Sequence, residues 1–304
     1  MNIYFFGTPE FAVPSLKLLS QDPYFNILGV VTQPDKPGDR NKITPPPVKT
    51  AADELNLPTL QPEKINKELI EEISSQNPDA IIVIAYGGLI PKQLLDIPKH
   101  GCINIHPSLL PKYRGASPIQ EALLNGDTET GIGFMKLDEE LDHGDIFVIK
   151  RIPIEENENL EALSEKLSNI SAIMLPAVLK DIENETFEPL PQEHYKATFC
   201  RKIAKEEGQI DFNKPAQEIL NQIRALNPWP GTYFKLKDKT IKILAAKITQ
   251  PEGPAAPGTP EFIDKRTFGF HTKTDLIIPT KLQIEGKQPC ATQEFLNGYK
   301  NLLT

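Results

Sequence analysis

The strongest constraint on what this chain can fold into is an alternation, through its first half, of short apolar runs with helix-length amphipathic stretches. Strand-like runs at Ile3–Phe6, Ile27–Thr32, Thr59–Leu60, Ala80–Ala85 and Cys102–His106 are separated by helical stretches near Phe11–Leu19, Val48–Leu55 and Lys67–Ser75, and by a short helix opening at Pro91. Parallel neighbours need long return connections, so this order predicts a mostly parallel sheet crossed by helices. The run Ala80-Ile81-Ile82-Val83-Ile84-Ala85 has no polar face. It is expected at the middle of the sheet, covered on both sides.

After residue 124 the pattern changes. Gly131–Leu137 and Ile146–Ile154 read as two strands pairing in an antiparallel edge, followed by an amphipathic helix from about Leu160 to Ile182. Phe187–Lys196, polar and proline-containing, reads as a linker. From Ile203 onward, Thr232–Leu236, Ile241–Ile248, Phe268–His271 and Leu276–Ile278, with one helix near Ala216–Ala225, predict a small β-barrel. Pro251–Pro260 reads as a long barrel loop. A length of 304 residues fits two domains, here expected at residues 1–188 and 207–304 with a linker at 189–206.

No apolar run approaches the roughly 18 residues a membrane helix needs. Met1–Phe6 lacks the basic region and cleavage site of a signal peptide and is expected to be a buried first strand. Cys102, Cys200 and Cys290 are odd in number, widely spaced and without a C-x-x-C pair. They point away from a disulfide framework or zinc site and towards a reducing cytoplasm. A formal charge of −8 taken alone disfavours a polyanionic partner. Residues 208–304, however, hold 13 Lys and Arg against 9 Asp and Glu, leaving 20 against 32 in residues 1–207. The basic part is the C-terminal third, and a local patch suffices to meet phosphates.

Four motifs carry chemical information. Gly7-Thr8-Pro9-Glu10-Phe11 sits where a dinucleotide fingerprint would, but Pro9 and Ala12 replace its second and third glycines. It reads instead as a tight strand-to-helix turn, with Thr8 capping and Pro9 opening the helix. Thr32–Lys49 is a long proline-rich loop bearing Lys36, Arg40, Lys42 and Lys49. Its length inside a compact domain favours recognition of a phosphate-bearing partner over a merely solvated loop. Ile223–Thr232 holds the only tryptophan, Trp229, between two prolines; it reads as a packing anchor, beside Arg224, which could meet phosphates.

The fourth motif is Asn104-Ile105-His106-Pro107-Ser108-Leu109-Leu110-Pro111, running off a strand. Asn104 and His106 fall on one face at the strand's carboxyl end, where open α/β sheets bind ligands. Downstream, Asp142-His143-Gly144-Asp145 puts a carboxylate on a turn entering the next strand, where Asp142 could face His106. Acyl transfer to an amine needs these three types. A His tuned by a carboxylate manages the proton, and a neutral amide stabilises the oxyanion. Which of His106 and Asp142 takes the proton stays open. A metal centre of His106, Asp142 and His143 is the competing reading, but the residues lack ligand spacing.

Asn104–Gly115 together with Asp142–Asp145 resembles the 10-formyltetrahydrofolate-dependent formyltransferases and hydrolases. Gly7–Ala12, Thr32–Asp35, Pro47–Lys49, Val83–Gly87, Arg224–Gly231 and Ala256–Thr259 extend the likeness over nearly the whole chain. The resemblance implies a Rossmann-like formyltransferase catalytic domain at 1–188 and an OB-like, tRNA-binding barrel at 207–304. Asn104, His106 and Asp142 would be its catalytic trio. The folate contacts would come from Ser108, Leu109, Leu110 and Pro111, with Tyr86, Gly87 and Leu137–Asp142 bordering the pterin. Lys36, Arg40, Lys42, Lys49 and Arg224 would bind tRNA.

It further implies a formyl group passed from 10-formyltetrahydrofolate, without a metal, to the α-amine of initiator methionyl-tRNA. The setting would be a bacterial cytoplasm, and the enzyme monomeric and away from membranes. The alternatives are a formyltransferase acting on a sugar-nucleotide amine, a hydrolase of the same folate, and a non-catalytic tRNA- or folate-binding module.

Overall fold

The computed structural model describes residues 1–37, 43–186 and 188–304. Two compact units divide it. The first comprises Met1–Gly115, Glu129–Pro153 and Ser164–Cys200; the second comprises Ala116–Thr128, Ile154–Leu163 and Arg201–Thr304. In chain order the elements begin with β1 (Asn2–Gly7), α1 (Val13–Gln21), β2 (Asn26–Val31), β3 (Lys36–Pro37), β4 (Ile43–Thr44), α2 (Pro47–Glu54) and β5 (Thr59–Leu60). There follow α3 (Lys67–Ser75), β6 (Ala80–Ile84), α4 (Lys92–Leu95), β7 (Cys102–His106), β8 (Arg114–Gly115) and α5 (Pro118–Leu124). Next come β9 (Glu129–Lys136), β10 (Ile146–Pro153), α6 (Leu160–Glu183) and β11 (Phe199–Cys200).

The main sheet of the first unit runs β10-β9-β7-β6-β1-β2-β5. Its five strands from β7 to β5 are parallel, and β9 and β10 close it as the expected antiparallel edge. β6, with no polar face in the sequence, is buried at every position. Leu69 and Ile73, four apart on α3, share a core with Tyr4, Phe6, Ile81 and Val83. From β1 the chain steps outward to β2 and β5, then returns to β6 on β1's other side. The order therefore reverses between β1 and β6, and in such a sheet the crevice beyond the carboxyl ends at that reversal receives ligands.

Thr8 differs from expectation at this point. A 3₁₀ turn at Glu10–Ala12 precedes α1 and has no side-chain cap. The Thr8 hydroxyl instead donates to the Tyr86 carbonyl at 2.7 Å, tying β1's exit to β6's. A partner across the sheet outcompetes the local cap.

The second unit continues with α7 (Ala216–Leu226), β12 (Thr232–Leu236), β13 (Lys239–Thr249), β14 (Pro260–Phe262), β15 (Phe268–His271), β16 (Leu276–Ile284), β17 (Cys290–Ala291) and α8 (Thr292–Tyr299). Its antiparallel sheet has the order β12-β13-β16-β15-β14, with β17 also on β16. Ile219 and Ile223 of α7 and Phe295 and Leu296 of α8 join Phe234, Phe268, Phe270 and Ile277 in its core. β16 is longer than its apolar run suggests. Pro279 interrupts that run, and a register shift in β13 between Ile243 and Ala246 absorbs it. Trp229, read as a packing anchor, is 60% exposed. Ala225 and Leu226 at the end of α7 supply the packing instead.

Candidate active site

Asn104 and His106 project two residues apart from β7, both buried. Asn104 lies beside Val83 of β6, and His106 lies opposite Gly133 of β9. Asp142, also buried, meets both. Asn104 Nδ2 donates to its Oδ1 at 3.4 Å, and His106 Nδ1 lies 3.6 Å from its Oδ2. A firmer bond, from the Gly115 N–H to Oδ2 at 2.8 Å, fixes the carboxylate. The three residues predicted to act together do converge.

Hydrogen bonding sets the imidazole's orientation. His106 Nε2 is 2.9 Å from the Tyr113 carbonyl oxygen. A carbonyl only accepts, so Nε2 carries a hydrogen and donates it. Nδ1 is then the nitrogen turned towards Asp142 and towards any arriving proton. The backbone is shaped for these contacts: Tyr113 has φ 57° and Asp142 φ 48°, left-handed values that cost non-glycine residues energy and concentrate at functional sites. At the carboxyl end of β6, Ala85 (φ 47°) and Gly87 (φ 80°) make a similar bend.

The loop after β7 rests on glycines. A Cβ at Gly131 would sit 2.4 Å from Leu109 Cδ2, and one at Gly133 would sit 3.1 Å from Leu110 Cδ1. Leu110 is thereby buried, Leu109 is half-buried, and Ser108 is tied to the Lys112 carbonyl at 2.6 Å. The Leu110–Pro111 peptide is cis. Tyr86 is buried edge-on to Phe6; burial raises its hydroxyl's pKa, opposed by a hydrogen bond with Gln33. Gly87 is exposed at the β1/β6 reversal.

The basic residues named from the sequence are held differently within each unit. Arg40 and Lys42 lie outside the described residues. Lys36 is exposed on β3. Lys49 pairs with Asp35 at 3.4 Å, and Asp35 also accepts from Gln61 at 2.7 Å. In the second unit, Arg224 donates to the Glu156 carbonyl at 2.9 Å and to Asn221 Oδ1 at 2.9 Å, with longer bonds to the carbonyls of Glu155 and Glu158. Burial pushes its pKa down. His143 does not join His106 and Asp142; it bonds Asp138 at 2.6 Å and stacks on His194. No cluster of metal-ligating residues occurs among the described residues.

One set of site residues is absent from the sequence reading. The segment expected as a linker lies against the site. Thr198 Oγ1 accepts the Tyr113 N–H and the Thr198 carbonyl accepts the Arg114 N–H, both at 2.9 Å, and β11 pairs with β8. Gln192 bonds the carbonyls of Asp142 and Gly144. Nothing in a short polar segment signals such partners; Arg114, which is buried, draws its acceptors from it.

A buried amide, imidazole and carboxylate beside the reversal point of a parallel sheet, joined to an antiparallel-sheet unit, define a group-transferring enzyme class. The chain belongs to the formyl transferase family: the family model for formyl transferase matches residues 1–179, and that for its C-terminal domain matches residues 202–300. The methionyl-tRNA formyltransferase of a Sulfurihydrogenibium species is 43% identical over 306 residues, covering 99% of this chain and 97% of its own. That of Caldicellulosiruptor saccharolyticus is 44% identical over 305 residues, with the same coverage. Among solved structures, the N-formyltransferase of Helicobacter canadensis, in complex with folinic acid and dTDP-3-aminofucose, superposes with a TM-score of 0.67 at 19% identity. It covers 91% of this chain and 98% of its own, and shows a shared fold.

Proposed function

We propose that this chain transfers the formyl group of 10-formyltetrahydrofolate to the α-amine of methionine on initiator tRNA, as a monomer in a bacterial cytoplasm. The observation that carries the chemistry is the convergence of Asn104, His106 and Asp142 at the end of β7. The acceptor is supported by relatives of 43% and 44% identity along nearly the entire chain that bear that activity in their names. The solved sugar N-formyltransferases are 21% and 19% identical to this chain and share its fold alone.

Each residue has a definite task in this reading. The donor supplies a formyl carbon already bound to nitrogen, so the attacking amine forms a new C–N bond directly and no enzyme nucleophile is needed. Negative charge develops on the formyl oxygen. Asn104 donates to it from an amide whose existing bond, at 3.4 Å, is long enough to yield. His106, anchored at Nε2, presents Nδ1 to the proton leaving the amine and can return a proton to the departing nitrogen. Asp142 aims that imidazole and balances its charge once protonated. Tyr86, Gly87 and Ser108–Pro111 border the folate in this reading, and Lys36, Arg40, Lys42 and Lys49 face the tRNA.

The test is incubation with 10-formyltetrahydrofolate and charged initiator tRNA, comparing wild type with Asn104→Ala, His106→Ala and Asp142→Asn. Wild type should block the methionyl amine, with each variant strongly impaired. Full turnover by all three variants would refute the assignment.

A further inference from the structure

The turn carrying Asp142 is gripped residue for residue by the segment 192–194, which the reaction above does not use. Gln192 is 5% exposed and Arg114 is 4% exposed. Arg114 donates to Gln192 Oε1 from Nε at 3.2 Å and from Nη2 at 2.7 Å. A guanidinium has no acceptor, so this fork fixes which end of the Gln192 amide is oxygen. Both N–H groups of Nε2 are thereby aimed the other way. One meets the Asp142 carbonyl at 3.0 Å and the other meets the Gly144 carbonyl at 2.8 Å.

The residue between is held as well. The His143 ring stacks on His194 with centroids 4.0 Å apart and planes 8° from parallel, and its Nδ1 pairs with Asp138. His194 Nδ1 accepts from the same Arg114 at 2.9 Å. Gly144 is held at its carbonyl by Gln192, and it packs so close to the Lys136 carbonyl oxygen that a Cβ would lie 1.9 Å from it. The turn is thus fixed at three consecutive residues, and its first holds a left-handed φ of 48°. That conformation directs the Asp142 carboxylate to His106 and Gly115.

We propose that Gln192, oriented by Arg114 and assisted by the His194–His143 stack, is the positioning residue that aims Asp142 at His106. This rests on the reading of Asp142 and His106 as the acid–base pair. Gln192 is buried and acts through the backbone of the Asp142 turn. A catalytic carboxylate displaced by about 1 Å typically loses on the order of 10²-fold in rate. Removing the two amide donors should therefore slow turnover while leaving substrate binding nearly intact.

The decisive variant is Gln192→Glu, which keeps the partner of Arg114 and gains an ion pair with it, yet cannot donate to either carbonyl. Gln192→Met, of similar length, serves as a second variant that lacks both roles. Formyl transfer to charged initiator tRNA would be measured for wild type, both variants, Asp142→Asn and the Asp142→Asn/Gln192→Glu double variant, together with thermal midpoints. The expected result is a kcat lowered about tenfold or more in both Gln192 variants, with KM for tRNA and folate within about twofold. Both Gln192 variants should fold with a lowered midpoint, because two buried carbonyls lose their donors, and Gln192→Glu should cost less than about twofold once Asn replaces Asp142. Wild-type kcat in Gln192→Glu, a change confined to KM, or losses that multiply in the double variant would overturn the proposal. Wild-type turnover in Asp142→Asn alone would instead fell the acid–base reading beneath it.

Discussion

At the residue scale, the proposed chemistry rests on three converging side chains and on the glycines that let the backbone hold them. Removing His106 should cost on the order of 10² to 10⁴ in kcat, and Asn104→Ala about 10² to 10³. For Asp142 the informative change is to Asn, which tolerates the φ of 48° and can still accept the Gly115 N–H, so that lost activity reports lost charge. Steady-state kinetics at saturating substrates checks all three. Gly144→Ala forces its Cβ to 1.9 Å from a main-chain oxygen, so the backbone must shift. A destabilisation of about 2 kcal/mol or more is expected in denaturant titration, with turnover falling beside it. Burial pushes the Cys102 thiol up to about 12, so iodoacetamide near pH 8 should leave Cys102 unmodified in the folded protein and alkylate it after denaturation.

At the scale of elements, two small devices fix the loops. At the base of the β3–β4 pair, the Gln61 amide and then the Lys49 ammonium hold the Asp35 carboxyl below the usual carboxylate range. A folded-state pKa below the unfolded one gives stability that is complete above the ordinary value, about 4, and lost as pH falls through the folded value. The Asp35→Asn midpoint should accordingly drop less between about pH 6 and about pH 3 than the wild-type midpoint does. The other device is the segment after α6. Its role was not legible in sequence because its partners are distant: Arg114 and Gln192 are 78 residues apart, and polar residues without periodicity show no burial pattern. The strands were legible for the opposite reason. An unbroken apolar run such as Ala80–Ile84 and the two-residue spacing of Asn104 and His106 carry their geometry locally. Thr8 and Trp229 misled because local rules, helix capping and tryptophan burial, yielded to a hydroxyl acceptor across the sheet and to packing supplied by neighbouring residues.

At the scale of the whole molecule, charge and chemistry are unevenly distributed. Residues 1–207 carry the acidic excess and the buried trio, while residues 208–304 carry 13 Lys and Arg against 9 Asp and Glu. That distribution suits an acceptor held by phosphates, whose binding weakens with salt in proportion to the phosphates contacted. Arg40→Ala should lower tRNA affinity and reduce the slope of log affinity against log salt by about 1. Arg224→Ala should mainly lower the thermal midpoint, because its guanidinium bonds carbonyls of its own unit. The central claim is the reaction itself. Its most direct measurement is the state of the methionyl α-amine on initiator tRNA after incubation with the protein and 10-formyltetrahydrofolate. The prediction is an amine blocked by formyl in wild type, dependent on the folate, and at least about 10² slower with His106→Ala. An amine that stays free while formate is released, or while a sugar-nucleotide amine is formylated instead, would contradict the account.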